Sequence, residues 1–145
     1  MDVVSFKGRV NRAPWWLVQL VILVFTIAIS FTGSVSEELR GFLIFLGLFS
    51  IPLLWVNLAL STRRLHDRDK SGSWLVIFYA LPWVLAGIAN HAVADHTGAL
   101  YFSFYLPSLA LYIWGLVELG FLRGMTGPNQ YGPDPLEPAP DLPPA

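Results

Sequence analysis

Four runs of apolar residues dominate the chain, at 14–31, 41–60, 74–89 and 99–122. Strongly polar side chains interrupt them only at Gln19, Asn57 and Glu118. A helix lying against water carries a polar stripe at a period of 3.6 residues, and none of these runs has one. A helix needs about 20 residues to cross about 30 Å of hydrocarbon. The first, second and fourth runs meet that length, and the third does so if it continues through Asn90 to Ala94. The pattern predicts an all-α integral membrane four-helix bundle, with spans at 14–31, 41–60, 74–94 and 99–122.

The segments between the runs sort by charge. Lys7, Arg9 and Arg12 precede the first span, Arg63, Arg64, Arg68 and Lys70 lie between the second and third, and Arg123 follows the fourth. These are eight of the nine Lys and Arg residues, and the ninth, Arg40, sits beside Glu37 and Glu38. Basic loops stay on the cytoplasmic side, so both termini and the polar loop 61–73 are expected to be cytoplasmic. Trp15, Trp16 and Trp74 fall at that interface, where amphipathic rings prefer to sit. Trp83 and Trp114 lie deeper and are expected to pack inside. Residues 1–13 then form an interfacial segment and 123–145 a Gly/Pro-rich cytoplasmic tail. Seven prolines in the last eighteen residues exclude a regular helix there, and about the last ten residues are expected to be disordered. The first run exceeds the apolar core of a signal peptide, which is about 7–15 residues, and three similar runs follow it. It reads as a retained helix.

Proline adds punctuation. Pro14 opens the first span, where a missing N–H costs nothing. Pro52, Pro82 and Pro107 fall inside the later spans, and each is expected to kink its helix and free a carbonyl near Leu48, Phe78 or Ser103.

Composition sharpens the class. Of 145 residues, 54% are hydrophobic, 14% aromatic and only 13% charged, against about 25% charged in soluble domains. A net charge of −1 argues against a nucleic-acid partner. With no cysteine, thiol catalysis, disulfides and Cys-ligated metals are excluded.

The most polar stretch, RRLHDRDKSGSW at 63–74, is the natural place to look for chemistry. Asp67, Asp69, Ser71 and Gly72 match the opening of a calcium-binding loop, but such a loop requires an acidic residue at its twelfth position. That position is Phe78. His66, Asp67 and Asp69 make a poor transition-metal set among four cations, with His91 and His96 assigned to the opposite membrane face. No nucleophile–base–acid set stands out, so no catalytic residue, cofactor or metal is expected. As a surface turn the stretch is coherent. Arg63 and Arg64 can reach lipid phosphate or Asp67, Ser71 can cap the third span, and Gly72 can take a backbone conformation other residues resist. Glu118, about one turn inside the fourth span, needs a partner. Arg9, Arg12, Arg63, Arg64 and Arg123 are the candidates, and Asn57 is expected to join the same cluster.

Three segments, FKGRVNRAPWW at 6–16, RRLHDRDKSGSW at 63–74 and GMTGPNQYGPDP at 124–135, together resemble the bacterial inner-membrane family known as domain of unknown function 805. The matching positions are Gly8, Arg9, Arg12, Trp16, Arg63 to Asp67, Lys70 to Gly72, Trp74, Gly127, Asn129, Tyr131, Gly132, Asp134 and Pro135. Asp69 departs from a position that is often glycine in that family, and Ser73 from one that is usually tryptophan. The resemblance implies a small multi-pass protein of the bacterial inner (plasma) membrane, and no established activity.

Charge and resemblance together predict that the three segments converge into one cytoplasmic cap. Arg9, Arg12, Arg63 and Arg64 would supply its positive groups and Asp67, Glu118 and Asp134 its negative ones, with His66, Asn129 and Tyr131 alongside. The leading expectation is a non-enzymatic membrane protein whose cap binds anionic lipid headgroups or a partner membrane protein. The alternatives are an oligomeric small transporter or channel subunit using Glu118, and a headgroup-level enzyme using His66 and Asp67.

Overall fold

The structure is a computed structural model and describes residues 4–30, 37–92 and 98–137. Its helices centre on the apolar runs and in places extend into the polar segments that flank them. Helix α1 covers Arg12–Ser30, α2 Glu37–Gly47, α3 Ser50–His66, α4 Leu81–Ala92 and α5 Ala99–Leu116. Wide π-helical turns precede α4 (Val76–Ala80) and follow α5 (Val117–Phe121). Among the described residues the one β-bridge pairs Asn129 with Gly132. The end of the first span at 31, the extension of the third to 94, His96 and the tail beyond 137 lie outside the described residues.

Local sequence explains where the helices start and break. The Asn11 side chain accepts the Ala13 N–H at 3.1 Å and caps α1, with Pro14 in the first turn. The second apolar run is two helices rather than one. Pro52 has no N–H for the Leu48 carbonyl, the Ile51 N–H takes that carbonyl instead at 3.4 Å, and the chain turns at Leu48 and Phe49 between α2 and α3. Pro82 acts at the π turn before α4, where i→i+5 bonding carries the chain past the missing donor. Pro107, expected to kink its helix, sits within α5 (Ala99–Leu116).

The polar loop is shorter than 61–73. Helix α3 continues to His66, so Ser61 to His66 are helical and the turn begins at Asp67. Ser71 does not cap a helix with its hydroxyl, which bonds the Ser73 hydroxyl at 2.5 Å. The left-handed residue of the turn is Asp69, at φ +57°. Gly72 is needed for space, since a Cβ there would lie 2.9 Å from Thr62 Cγ2.

Helix α4 packs along α5 and α1 along α3, and the turn Val117–Phe121 reaches both α1 and α3. The apolar core sits at this junction, in Trp15, Leu65, Phe78 and Leu119. Trp15 is therefore a core residue, not an interfacial one. Trp83, expected inside, is 79% exposed, because it lies on the outer side of α4. Trp114 packs edge-on against Trp74 and Phe78. Along the helices the outer surfaces are apolar and exposed, including Leu17, Leu20, Leu23, Ile51, Trp55, Leu106 and Ile113. Two described helical stretches, Arg12–Ser30 and Ala99–Phe121, are long and apolar enough to cross a membrane.

Candidate functional site

At the core end of the bundle, three chain segments close over one another through buried charges. Asp67, at the C-terminus of α3, is 3% exposed. Its Oδ1 accepts Arg9 Nε at 3.1 Å and Nη2 at 3.0 Å, and its Oδ2 accepts Arg64 Nη1. Arg64, fully buried, also donates Nε to the Leu119 carbonyl at 2.9 Å and Nη2 to the Leu122 carbonyl. Those carbonyls are orphans of the unwound end of α5, so the guanidinium acts as a C-terminal cap. Arg9 reaches across to the carbonyls of Met125 and Gly127, the latter at 2.6 Å. The Asp67 backbone carbonyl accepts the Met125 N–H at 2.7 Å. A Cβ on Gly124 would fall on the Asp67 carboxylate, so only glycine lets the chain pass here.

Around this triad the tail is clamped. The His66 and Tyr131 rings stack at 3.8 Å with 2° between planes. His66 Nδ1 lies 3.1 Å from the Gly8 carbonyl. Asn129 donates to the His66 carbonyl at 2.8 Å and accepts the Tyr131 N–H at 2.9 Å. Gly127 and Gly132 take positive φ, +75° and +136°, which lets the turn between them fold back. Burial holds the His66 imidazole below its ordinary pKa, offset in part by the Gly8 carbonyl. Asp134 accepts the N–H groups of Leu136 and Gly127. These bonds, that of Leu136 foremost, lower its pKa.

Both interior carboxylates are ion-paired. Glu118 Oε1 is shared by Arg68 Nε and Lys70 Nζ, each at 2.8 Å. Asp67 stands between two guanidiniums. Among the described residues no three His, Asp or Glu side chains gather as a metal-binding group.

A family described as proteins of unknown function, DUF805, matches residues 3–133. The chain belongs to this family. Among curated relatives, the DUF805 chain is 30% identical over 131 residues to the uncharacterized protein YiiR of Escherichia coli K12, covering 90% of this chain and 85% of that one. It is 25% identical over 140 residues to the inner membrane protein YhaH of the same strain, covering 94% and 93%. No solved structure matches.

In this DUF805 chain the structure brings Arg9, Arg63, Arg64, His66, Asp67, Asn129 and Tyr131 together, but several pairings differ from those read off the sequence. Glu118 meets Arg68 and Lys70, none of its five expected partners, because the turn at 67–69 swings these two side chains over the end of α5. Asp134 forms local turn bonds in place of an arginine pair. Arg63 and Arg64 are buried, Arg64 pairs with Asp67, one of the two partners expected for it, and Arg63 Nη2 lies 3.5 Å from the Arg9 carbonyl. Arg12 is exposed and donates to the Phe121 carbonyl at 2.9 Å. Asn57 is in a separate network one layer deeper. Gln19 donates to it at 2.8 Å, and nearby Trp15 Nε1 donates to Ser61 Oγ, itself 3.0 Å from the Tyr79 hydroxyl. Sequence reading missed Arg68 and Lys70 as the partners of Glu118, and Gly124 as the gap that admits Asp67.

Proposed function

We propose that this chain is a four-span protein of the bacterial inner membrane, with both termini and the 67–73 turn in the cytoplasm. Its buried Arg–Asp–Arg core locks the cap. The exposed basic rim around it, Lys7, Arg12 and Arg123, binds anionic lipid headgroups. The observation that carries this reading is an inverted burial pattern. Arg9, Arg64, Asp67 and Glu118 are inside, while only 6% of the most apolar part of Arg12–Ser30 and 11% of that of Ala99–Phe121 are buried. In water such a surface would associate, whereas in a bilayer it is the solvated face. The 19 residues of α1 extend about 28 Å, close to the hydrocarbon thickness of about 30 Å. The name of the relative YhaH supports the location, and the charge sorting supports the orientation.

A chain without cysteine is well suited to a labelling test. Lys7→Cys, Arg40→Cys, His91→Cys and Arg123→Cys are probed in intact cells with a membrane-impermeant maleimide. Labelling is expected at 40 and 91 only, and labelling at 7 or 123 overturns the orientation. For the headgroup role, neutralising Lys7, Arg12 and Arg123 together is expected to lower retention of phosphatidylglycerol in native mass spectrometry, with Arg40→Gln as control. Equal retention in both variants removes that role.

A further inference from the structure

A groove runs down the outside of the bundle between α1 and α5. Trp16, Leu20, Leu23 and Thr26 form one wall and Tyr112 and Leu116 the other, enclosing about 320 Å³. From Trp16 to Thr26 is ten residues of helix, about 15 Å at a rise of 1.5 Å. That is half of the hydrocarbon thickness of about 30 Å, the depth reached by one acyl chain of one leaflet.

The mouth of the groove is charged. Trp16 closes its upper end, its indole donating to the Gly120 carbonyl at 3.0 Å and meeting the Phe121 ring edge-on at 5.4 Å. Arg12 lies one turn earlier on the same face of α1 and is bound to the Phe121 carbonyl at 2.9 Å. Its guanidinium thus stands over the lip formed by Trp16 and Phe121. Unlike Arg9, Arg64 and Arg68, Arg12 has no carboxylate within ion-pair distance among the described residues. Its one hydrogen bond leaves most of its planar donor fork open, the geometry that takes a phosphate in bidentate fashion.

We propose that this groove is a specific site for one anionic phospholipid, the phosphate on Arg12 and one acyl chain along Leu20, Leu23 and Tyr112. The charge of the mouth and the one-leaflet length of the groove select this occupant. The proposal rests on the reading of the cap end as the membrane surface and narrows the basic rim to one residue and one groove.

The test is native mass spectrometry of the full chain with dioleoyl phosphatidylglycerol or dioleoyl phosphatidylcholine. The wild type is expected to retain the first over the second by about tenfold, the scale of a charge-assisted contact. Arg12→Gln brings that ratio to about one. Leu20→Trp, which fills the groove and leaves the cap untouched, lowers retention of both lipids several-fold. An unchanged ratio in Arg12→Gln, or wild-type retention in Leu20→Trp, overturns the site. If the triple variant at Lys7, Arg12 and Arg123 loses phosphatidylglycerol while Arg12→Gln does not, the basic rim stands and the groove falls. If the triple variant loses nothing, both fall.

Discussion

Replacing Asp67 by alanine is the sharpest test of the cap. In the folded chain its carboxylate accepts three hydrogen bonds from Arg9 and Arg64, and the side chains are 1% exposed for each arginine and 4% for the aspartate. Removing it strands two guanidiniums in a site closed to water. Breaking a buried pair by deleting one partner costs about 3–5 kcal/mol, since the remaining charge is left uncompensated. The cap's own carbonyls, those of Leu119, Leu122, Met125 and Gly127, soften this by remaining as acceptors, so the lower half of the range is expected. That is roughly two to three decades in the open-to-closed ratio. SDS titration of the protein in detergent, read by tryptophan fluorescence, measures it, because Trp15 and Trp74 lie in or against the core beside the cap. Arg40 and Glu37 provide the control, with the same i,i+3 spacing as Arg64 and Asp67 but side chains 46% and 79% exposed. Exposed pairs contribute at most about 1 kcal/mol, so Glu37→Ala should shift the midpoint little. If Asp67→Ala costs no more than Glu37→Ala, the buried triad does not hold the cap and the reasoning fails.

Gly124→Ala places a methyl group on the Asp67 carboxylate and is expected to cost about 1–3 kcal/mol by overpacking; a neutral result in the same titration would show that the tail can shift aside. Asp69→Gly relieves a left-handed aspartate at φ +57° and gives up one exposed bond from Gln130. A gain of about 0.5–1 kcal/mol is expected, and a clear loss contradicts the backbone argument. For His66, the folded pKa lies below the ordinary value of about 6.5, so the unfolded state binds the proton first. Its contribution is fully present above about pH 6.5 and is lost as pH falls from there through the lowered folded value. Protease sensitivity of the 124–137 tail should therefore rise on acidification below pH 6.5. His66→Phe, which keeps a ring against Tyr131, should flatten that response, and an unaltered pH profile in this variant would assign the effect elsewhere.

Much of the helical layout was legible because its signals are one-dimensional. Hydropathy accumulates along a run, and Pro52 signals a disturbance from the bond it cannot make, read as a kink where the chain in fact turns between α2 and α3. Capping by Asn11 was equally local and was overlooked, being a single side chain beside a long apolar run. The cap was only half legible. Its members share motifs, but a list of cations and carboxylates does not say which will meet. Glu118 illustrates this. Arg9, Arg12, Arg63, Arg64 and Arg123 were each reasonable partners by position along the chain, and the turn at Asp69 handed the contact to Arg68 and Lys70.

By itself the sequence determined the apolar helices, the segregation of eight of nine basic residues and the family. The first two follow from composition summed over segments, which no particular packing can alter, and the family from three motifs read in order along the chain. The tertiary structure decided what the charges are for. It buried Arg9, Arg64 and Asp67 as one lock, capped the end of α5 with a guanidinium, and set Arg12 on the Phe121 carbonyl without a carboxylate partner among the described residues. Those outcomes depend on where α3 ends and how the tail folds back through Gly124. A change of one helical turn in either place would have paired the same residues differently.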